Sequence, residues 1–158
     1  KNNNIPSDTT QIWKMVANPD GRINSNYGWM IYSDENYNQF DNCAKQLEAD
    51  EQTRRAVMIY NRPSMQVDYN KDGMSDFCCT FAVQYFIRDD ELISIVSFRS
   101  NDAVFGYKND KAWNDEVHQA LHKRLIQTYP NLKLGPMVWN AGSIHVYARH
   151  FELIKEAV

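Results

Sequence analysis

Three observations predict an α+β fold. Two strand-like apolar runs, residues 77–87 and 92–99, flank a polar Asp89-Asp90 turn and read as a hairpin. Two longer stretches, 36–48 and 111–128, repeat their apolar residues at helical spacing. Strand and helix signals then alternate irregularly, which does not suit a doubly wound parallel sheet. A chain of 158 residues, 43% hydrophobic and 13% aromatic, can bury the core of one domain and is not disordered as a whole.

Taken in order, residues 1–10 are a polar N-terminal segment, and 11–158 form the domain. Ile12, Met15 and Val16 give residues 11–17 a helical stripe, with Asp8 and Thr9 as caps, and Asn18-Pro19-Asp20-Gly21 ends it in a turn. Residues 24–30 read as an aromatic loop in which Gly28 supplies an unusual backbone angle. Tyr37, Phe40, Cys43, Ala44 and Leu47 share one stripe of the helix over 36–48. Arg54 and Arg55 precede a short strand over 56–60, closed by Pro63.

Residues 68–76 (DYNKDGMSD) begin like a calcium loop, with Asp68, Asn70 and Asp72 ahead of Gly73. The twelfth position, which needs a bidentate glutamate, is Cys79, so the stretch reads as a polar turn. Gly106 and Asp110 fall in the loop leaving the hairpin, before the helix over 111–128 that Pro130 stops. His118 and His122 are four apart, a metal-ligand spacing. They lack the intervening glutamate of a zinc-protease motif and fall off the apolar stripe, which places them on a solvated face. No metal is expected. Residues 136–148 read as a strand with His145 and Tyr147 on one face.

The formal net charge of −3 argues against direct nucleic-acid binding, which needs a basic surface, but admits a small phosphorylated ligand held by local arginines. No apolar run reaches membrane-spanning length, and three cysteines, two of them adjacent, make no disulfide framework. A cytoplasmic protein is expected. The stretch from Cys79 to Asp110 is the candidate site: a soft nucleophile, a guanidinium (Arg99) and two carboxylates (Asp102, Asp110) around one hairpin. Taken singly, each has a plain reading, as a buried hydrophobe, a surface ion pair or a turn cap.

Together they carry a resemblance. INSNYGW at 23–29, RRAVMIY at 54–60, CTFAVQY from Cys79, FRSNDAVFGYKND ending at Asp110, and WNAGSIHVYARHF at 139–151 appear in the order and spacing of the thymidylate synthase superfamily. The similarity is strongest to its branch that hydroxymethylates deoxycytidylate in phages. It implies a thymidylate-synthase-like mixed sheet with packed helices, part of whose N-terminal region, with a proton-relaying glutamate, is expected upstream of this sequence.

The resemblance further implies that Cys79 is the nucleophile and Cys78 a bystander. By the same likeness Arg99 and Ser100 hold the nucleotide phosphate, and Arg54 and Arg55 reach the partner's phosphate across a homodimer. His145 and Tyr147 would bond the deoxyribose hydroxyl, and Asp102 would contact the folate. Tyr27 would join the proton-abstraction network near the base. Uracil-directed members carry asparagine where Asp110 stands; a carboxylate there accepts from the cytosine amino group. The implied reaction moves a one-carbon unit from 5,10-methylenetetrahydrofolate, the co-substrate, to C5 of dCMP, and water completes the hydroxymethyl group. A relative acting on dUMP or CMP, and a non-catalytic nucleotide-binding fragment, are the alternatives.

Overall fold

The hairpin is the centre of the sheet. In the computed structural model, which describes residues 3–155, β2 (Thr80–Arg88) and β3 (Glu91–Phe98) pair antiparallel from Thr80↔Phe98 to Arg88↔Glu91. Residues 1, 2 and 156–158, the outermost of the two predicted segments, lie outside the described residues. Asp89 and Asp90 have φ of 52° and 58°, the mirror-image two-residue turn whose twist matches that of the strands it joins. β1 (Val57–Ile59) adds antiparallel to β2, and β5 (Lys133–Ala141) adds parallel to β3, giving the order β1-β2-β3-β5. Beside it β4 (Asn101–Asp102) pairs parallel with β6 (Ile144–His145). The α+β class stands.

One face of the sheet carries the core. Val83, Tyr85, Ile87, Leu92, Val96 and Phe98 alternate inward from the hairpin. They meet Cys43, Ala44 and Leu47 of α3 (Gln39–Ala49) and Val117, Leu121 and Leu125 of α5 (Phe105–Leu125). Each large side chain so buried contributes about 1.5–3 kcal/mol. Arg124 of α5 ties the two helices together, donating Nη1 to Asp41 Oδ1 (2.6 Å) and Nε to Glu48 Oε1 (2.7 Å).

Several local readings change. The strand expected from residue 77 begins at Thr80, because Arg99 takes the carbonyls of Phe77 and Cys78 that a strand neighbour would otherwise use. Residues 24–30 are not all loop: α2 (Tyr27–Tyr32) starts there, capped by Asn26, whose Oδ1 accepts from Trp29 N at 3.1 Å. Gly28 is helical, and the described glycines at positive φ are Gly21 and Gly73. The helix expected at residue 36 starts at Gln39. Tyr37 and Asn38 take left-handed φ of 60° and 41°, which leaves Tyr37 exposed off the stripe. α1 (Gln11–Val16) forms where expected, yet its N-cap is Thr10 and its Ile12 and Met15 are exposed.

The largest shift is at α5, which starts six residues early, at Phe105 rather than Lys111. Asp102 nucleates it: Oδ1 accepts from Val104 N, and Oδ2 from Phe105 N and Gly106 N, at 3.1–3.3 Å. Any Cβ at Gly106 would sit 2.9 Å from Asp102 Cβ, so this cap requires glycine. Gly106 and Asp110 therefore lie on a helix and not in a loop.

His118 and His122 are also not solvated. His118 is buried with Nε2 at 2.8 Å from Leu92 O, and half-buried His122 places Nε2 at 2.9 Å from Leu132 O. Both anchor α5 to backbone carbonyls beyond the apolar stripe. The calcium-like stretch breaks up: Asp68 ends α4 (Met65–Asp68) and pairs with Lys71 and Arg62, while Asp76 accepts from Asn24 N and Ser25 N. Among the described residues no group of three or more His, Cys, Asp or Glu is placed to hold a metal ion. No described helix is long and apolar enough to cross a membrane.

Candidate active site

The lead-in to β2 presents the two cysteines differently. Cys78 is fully buried and donates Sγ–H to Thr80 O at 3.2 Å; burial pushes its thiol up to about 12. Cys79 is half-buried, with its Sγ 3.6 Å from Arg99 Nη2. Of the two, Cys79 is the less buried and the one beside a cation.

Arg99 leaves the end of β3 and crosses back over this lead-in. It donates Nε to Cys78 O (3.0 Å) and Nη2 to Phe77 O (2.9 Å), with its guanidinium 4.7 Å from the Phe77 ring centre. The cation thus fixes the backbone just ahead of Cys79. Burial raises the Cys79 thiol, Arg99 lowers it, and the Asp110 and Asp76 carboxylates raise it again. Desolvation is the largest of these effects.

Asp110 projects from the second turn of α5. Its Oδ2 accepts from Asn101 Nδ2 at 2.8 Å. Burial raises its carboxyl to about 6, against the lowering effect of Asn101 and with a further raise from Asp102. Tyr27, at the start of α2, is raised well above the usual phenol range, chiefly by burial and then by Cys78 and Asp110; Thr80 Oγ1 donates to its hydroxyl at 2.9 Å. Tyr27 packs edge-on to Tyr60, with ring centres 5.0 Å apart, and Tyr60 Oη accepts from Trp113 Nε1 at 3.1 Å. Cys79, Arg99, Tyr27 and Asp110 therefore converge.

A cavity of about 500 Å³ opens on one side of this group. Its walls include Trp13, Tyr27, Trp29 and Trp113, with Asn109 and Asp110 on the α5 side. Cys79 is not in its lining; Tyr27 and Asp110 lie between the cavity and Cys79. Three indoles around an open cleft suit a flat aromatic ligand.

The remaining predicted residues fall into three places. Ser100 Oγ lies 3.1 Å from His145 Nδ1, and His145 meets Tyr147 edge-on with ring centres 5.0 Å apart, so Ser100, His145 and Tyr147 share one corner. Asp102 spends both oxygens on the N-terminus of α5. Burial raises its carboxyl less than the N–H groups of Val104, Gly106 and Phe105 lower it, so the net direction is down. Arg54 and Arg55 are exposed and lie far from this chain's own Cys79. Arg54 O accepts from Gln84 Nε2, and Gln84 is about 16 Å along β2 from Cys79.

Asn101, Thr80 and Trp113 were missed. Thr80 sits in the quoted run beside Cys79, but nothing in the sequence ties it to Tyr27. Asn101 lies nine positions before Asp110, with a strand end and a helix start between them. No periodicity links those elements.

The sequence signature of the family described as Thymidylate synthase matches residues 1–158. The chain is 53% identical over 152 residues to a protein of Enterobacteria phage T6 named Deoxycytidylate 5-hydroxymethyltransferase, covering 95% of this chain and 62% of that one. A protein of the same name from Enterobacteria phage T4 is 52% identical over the same extent. The chain thus spans about 62% of the length of these curated relatives. Among solved structures, thermostable thymidylate synthase A from Bacillus subtilis superposes with a TM-score of 0.66 at 25% identity, covering 93% of this chain and 51% of that one. Thymidylate synthase from T4 phage gives a TM-score of 0.69 at 20% identity, over 88% and 45% of the two chains, which speaks to fold alone.

Proposed function

The chain belongs to the thymidylate synthase family, and from that premise we propose that it carries the nucleotide site of a deoxycytidylate 5-hydroxymethyltransferase. The observation that carries the reading is Asp110: a half-buried carboxylate, held on one oxygen by Asn101 and close enough to Cys79 and Tyr27 to perturb both. Cytosine offers an amino donor at C4, which a carboxylate accepts; uracil offers a carbonyl there, which a carboxylate repels. The 52–53% identity to phage proteins of that name supports the same substrate.

In this reading Cys79 Sγ, as thiolate, adds to C6 of the base, and the ring electrons shift to make C5 a carbon nucleophile. Attack needs the thiolate, and Arg99, beside Sγ, supplies the positive charge that favours it. Asp110 accepts from the C4 amino group and, when it holds a proton, donates to N3; a carboxyl raised to about 6 serves both states. 5,10-Methylenetetrahydrofolate, seated against the indoles of Trp13, Trp29 and Trp113, supplies the one-carbon unit at the formaldehyde level. Tyr27, hydrogen-bonded to Thr80, stands where the C5 proton leaves. Loss of that proton and of tetrahydrofolate, addition of water to the exocyclic carbon and departure of Sγ complete the reaction. The balance is dCMP, methylenetetrahydrofolate and water in, hydroxymethyl-dCMP and tetrahydrofolate out.

The remaining donors of Arg99, with Ser100, take the 5′-phosphate, and the His145–Tyr147 corner takes the deoxyribose hydroxyl. Asp102 contacts the folate from the start of α5. Arg54 and Arg55 serve a second subunit, since they lie far from their own Cys79. The sheet face away from the core supports a homodimer. Its cross-strand rows Val57, Gln84, Ile95, Val138 and Ile59, Ala82, Ser97, Asn140 are none of them buried, and Ile59 and Val138 are 56% and 48% exposed. The test is mass analysis of the product from dCMP, methylenetetrahydrofolate and protein. A nucleotide heavier by one CH₂O unit is expected. A methylated nucleotide, or turnover of dUMP in preference to dCMP, would refute the assignment.

A further inference from the structure

We propose that Asn101 is a positioning residue: it fixes which atom of residue 110 faces the nucleotide base and so makes the identity of that residue decide cytosine over uracil. The inference rests on the cytosine reading of the site given above.

Asn101 is 1% exposed, so its amide has no solvent partners and its contacts define it. Nδ2 donates to Asp110 Oδ2 at 2.8 Å, and Oδ1 accepts from Trp139 Nε1 at 3.4 Å. Indole nitrogen can only donate and an ionised carboxylate can only accept, so the amide has one permitted orientation. Turned over, it would set an N–H₂ against an N–H and a carbonyl against a carboxylate. The backbone is held as well, because Asn101 N donates to Ser143 O at 2.9 Å within the β4–β6 pair. Trp139 is itself packed at 4.6 Å between ring centres against Phe98. A rigid donor is thereby aimed at one side of position 110.

That donor demands an acceptor in return, and this has a consequence for base choice. Aspartate meets the demand with Oδ2 and leaves Oδ1 to accept from the cytosine amino group. Asparagine at 110 would meet it with its carbonyl and turn its NH₂ towards the base, where it donates to the O4 of uracil. Asn101 therefore converts one substitution into a full exchange of acceptor for donor. Without it, an amide at 110 could turn either way and serve either base.

The reversal of this logic is the test. In the double variant Asn101→Asp with Asp110→Asn, the acceptor now sits at position 101 and draws the NH₂ of the new amide. Its carbonyl then faces the base and accepts again. Affinities for dCMP and dUMP, measured by calorimetry, are expected to lose the dCMP preference by about a hundredfold in Asp110→Asn and to regain at least about tenfold of it in the double variant.

A second readout needs no nucleotide. The groups acting on Asp110 are Asn101 and Asp102 from β4, and it acts in turn on Tyr27 from α2 and Cys79 ahead of β2. Carbon-13 NMR of the Asp110 carboxyl should show its midpoint rise by about one pH unit in Asn101→Ala, with Asn101→Ser, which keeps a donor, lying between. An unmoved midpoint overturns the positioning role. So does a double variant that keeps the nucleotide ratio of Asp110→Asn. A moved midpoint in a protein that binds neither nucleotide would keep the Asn101–Asp110 grip and remove the cytosine reading instead.

Discussion

Replacing Asp110 with asparagine exchanges one carboxylate oxygen for an NH₂ group and should change the substrate. The perturbation is contained: the new amide's carbonyl can still accept from Asn101 Nδ2, now 2.8 Å from Oδ2, so the anchor on β4 survives. What changes is the outward atom, from acceptor to donor. For dCMP, the cytosine amino group then faces another N–H₂ and both are left unpaired in a half-buried site. One such orphaned group costs about 1–3 kcal/mol. For dUMP, the repulsion between a carboxylate and O4 is replaced by a hydrogen bond of about 0.5–1.5 kcal/mol. Together the preference should move by about 2–4 kcal/mol, or roughly two to three orders of magnitude in the ratio of kcat/KM values. The assay is steady-state turnover of dCMP beside tritium exchange at C5 of dUMP. A dCMP/dUMP ratio unchanged by Asp110→Asn would mean that this carboxylate does not read the base.

Three further outcomes follow from the geometry. Cys79→Ser should lower turnover by about three or more orders of magnitude, whereas Cys78→Ser, whose hydroxyl can still donate to Thr80 O, should keep it within ~10-fold; a dead Cys78→Ser with a live Cys79→Ser would reverse the assignment. If Arg54 and Arg55 act in trans, mixing Cys79→Ser subunits with Arg55→Ala subunits should recover roughly a quarter of wild-type activity by random pairing, and no recovery would place the arginines elsewhere. His118 has its pKa lowered, by burial first and against the Leu92 carbonyl, so the unfolded chain takes up its proton more readily than the folded one. Its contribution is present above pH 6.5 and is lost as pH falls below it, so the urea midpoint of wild type should drop relative to His118→Gln between pH 7 and 5. Taking the difference matters, because Asp110, raised to about 6, pulls the other way.

How much of this was legible in the sequence depended on the range of the interaction. The hairpin was plain because alternation and an Asp-Asp turn are local signals, and both sit within residues 77–99. The start of α5 was not. Asp102 reaches forward to three N–H groups, and a Gly four residues on looks like a loop until the cap is seen. His118 misled for a related reason: it lies off the apolar stripe, yet a carbonyl of β3 comes to meet it. Within the candidate site, Cys79, Arg99 and Asp110 were singled out by motif order and spacing. Asn101 was not, because its role rests on two partners 9 and 38 positions away. The lead-in of β2 belongs with these, since a side chain from the next strand takes the hydrogen bonds that would have made it strand.

In the proposed reaction Cys79 makes C5 of deoxycytidylate nucleophilic. The direct measurement is release of tritium to water from dCMP labelled at C5, with and without methylenetetrahydrofolate, in wild type and Cys79→Ser. Wild type is expected to release tritium, more when the folate is added and in step with the hydroxymethyl-dCMP formed, and Cys79→Ser to release none. Equal release from the serine variant, or release from labelled dUMP but not dCMP, would contradict it.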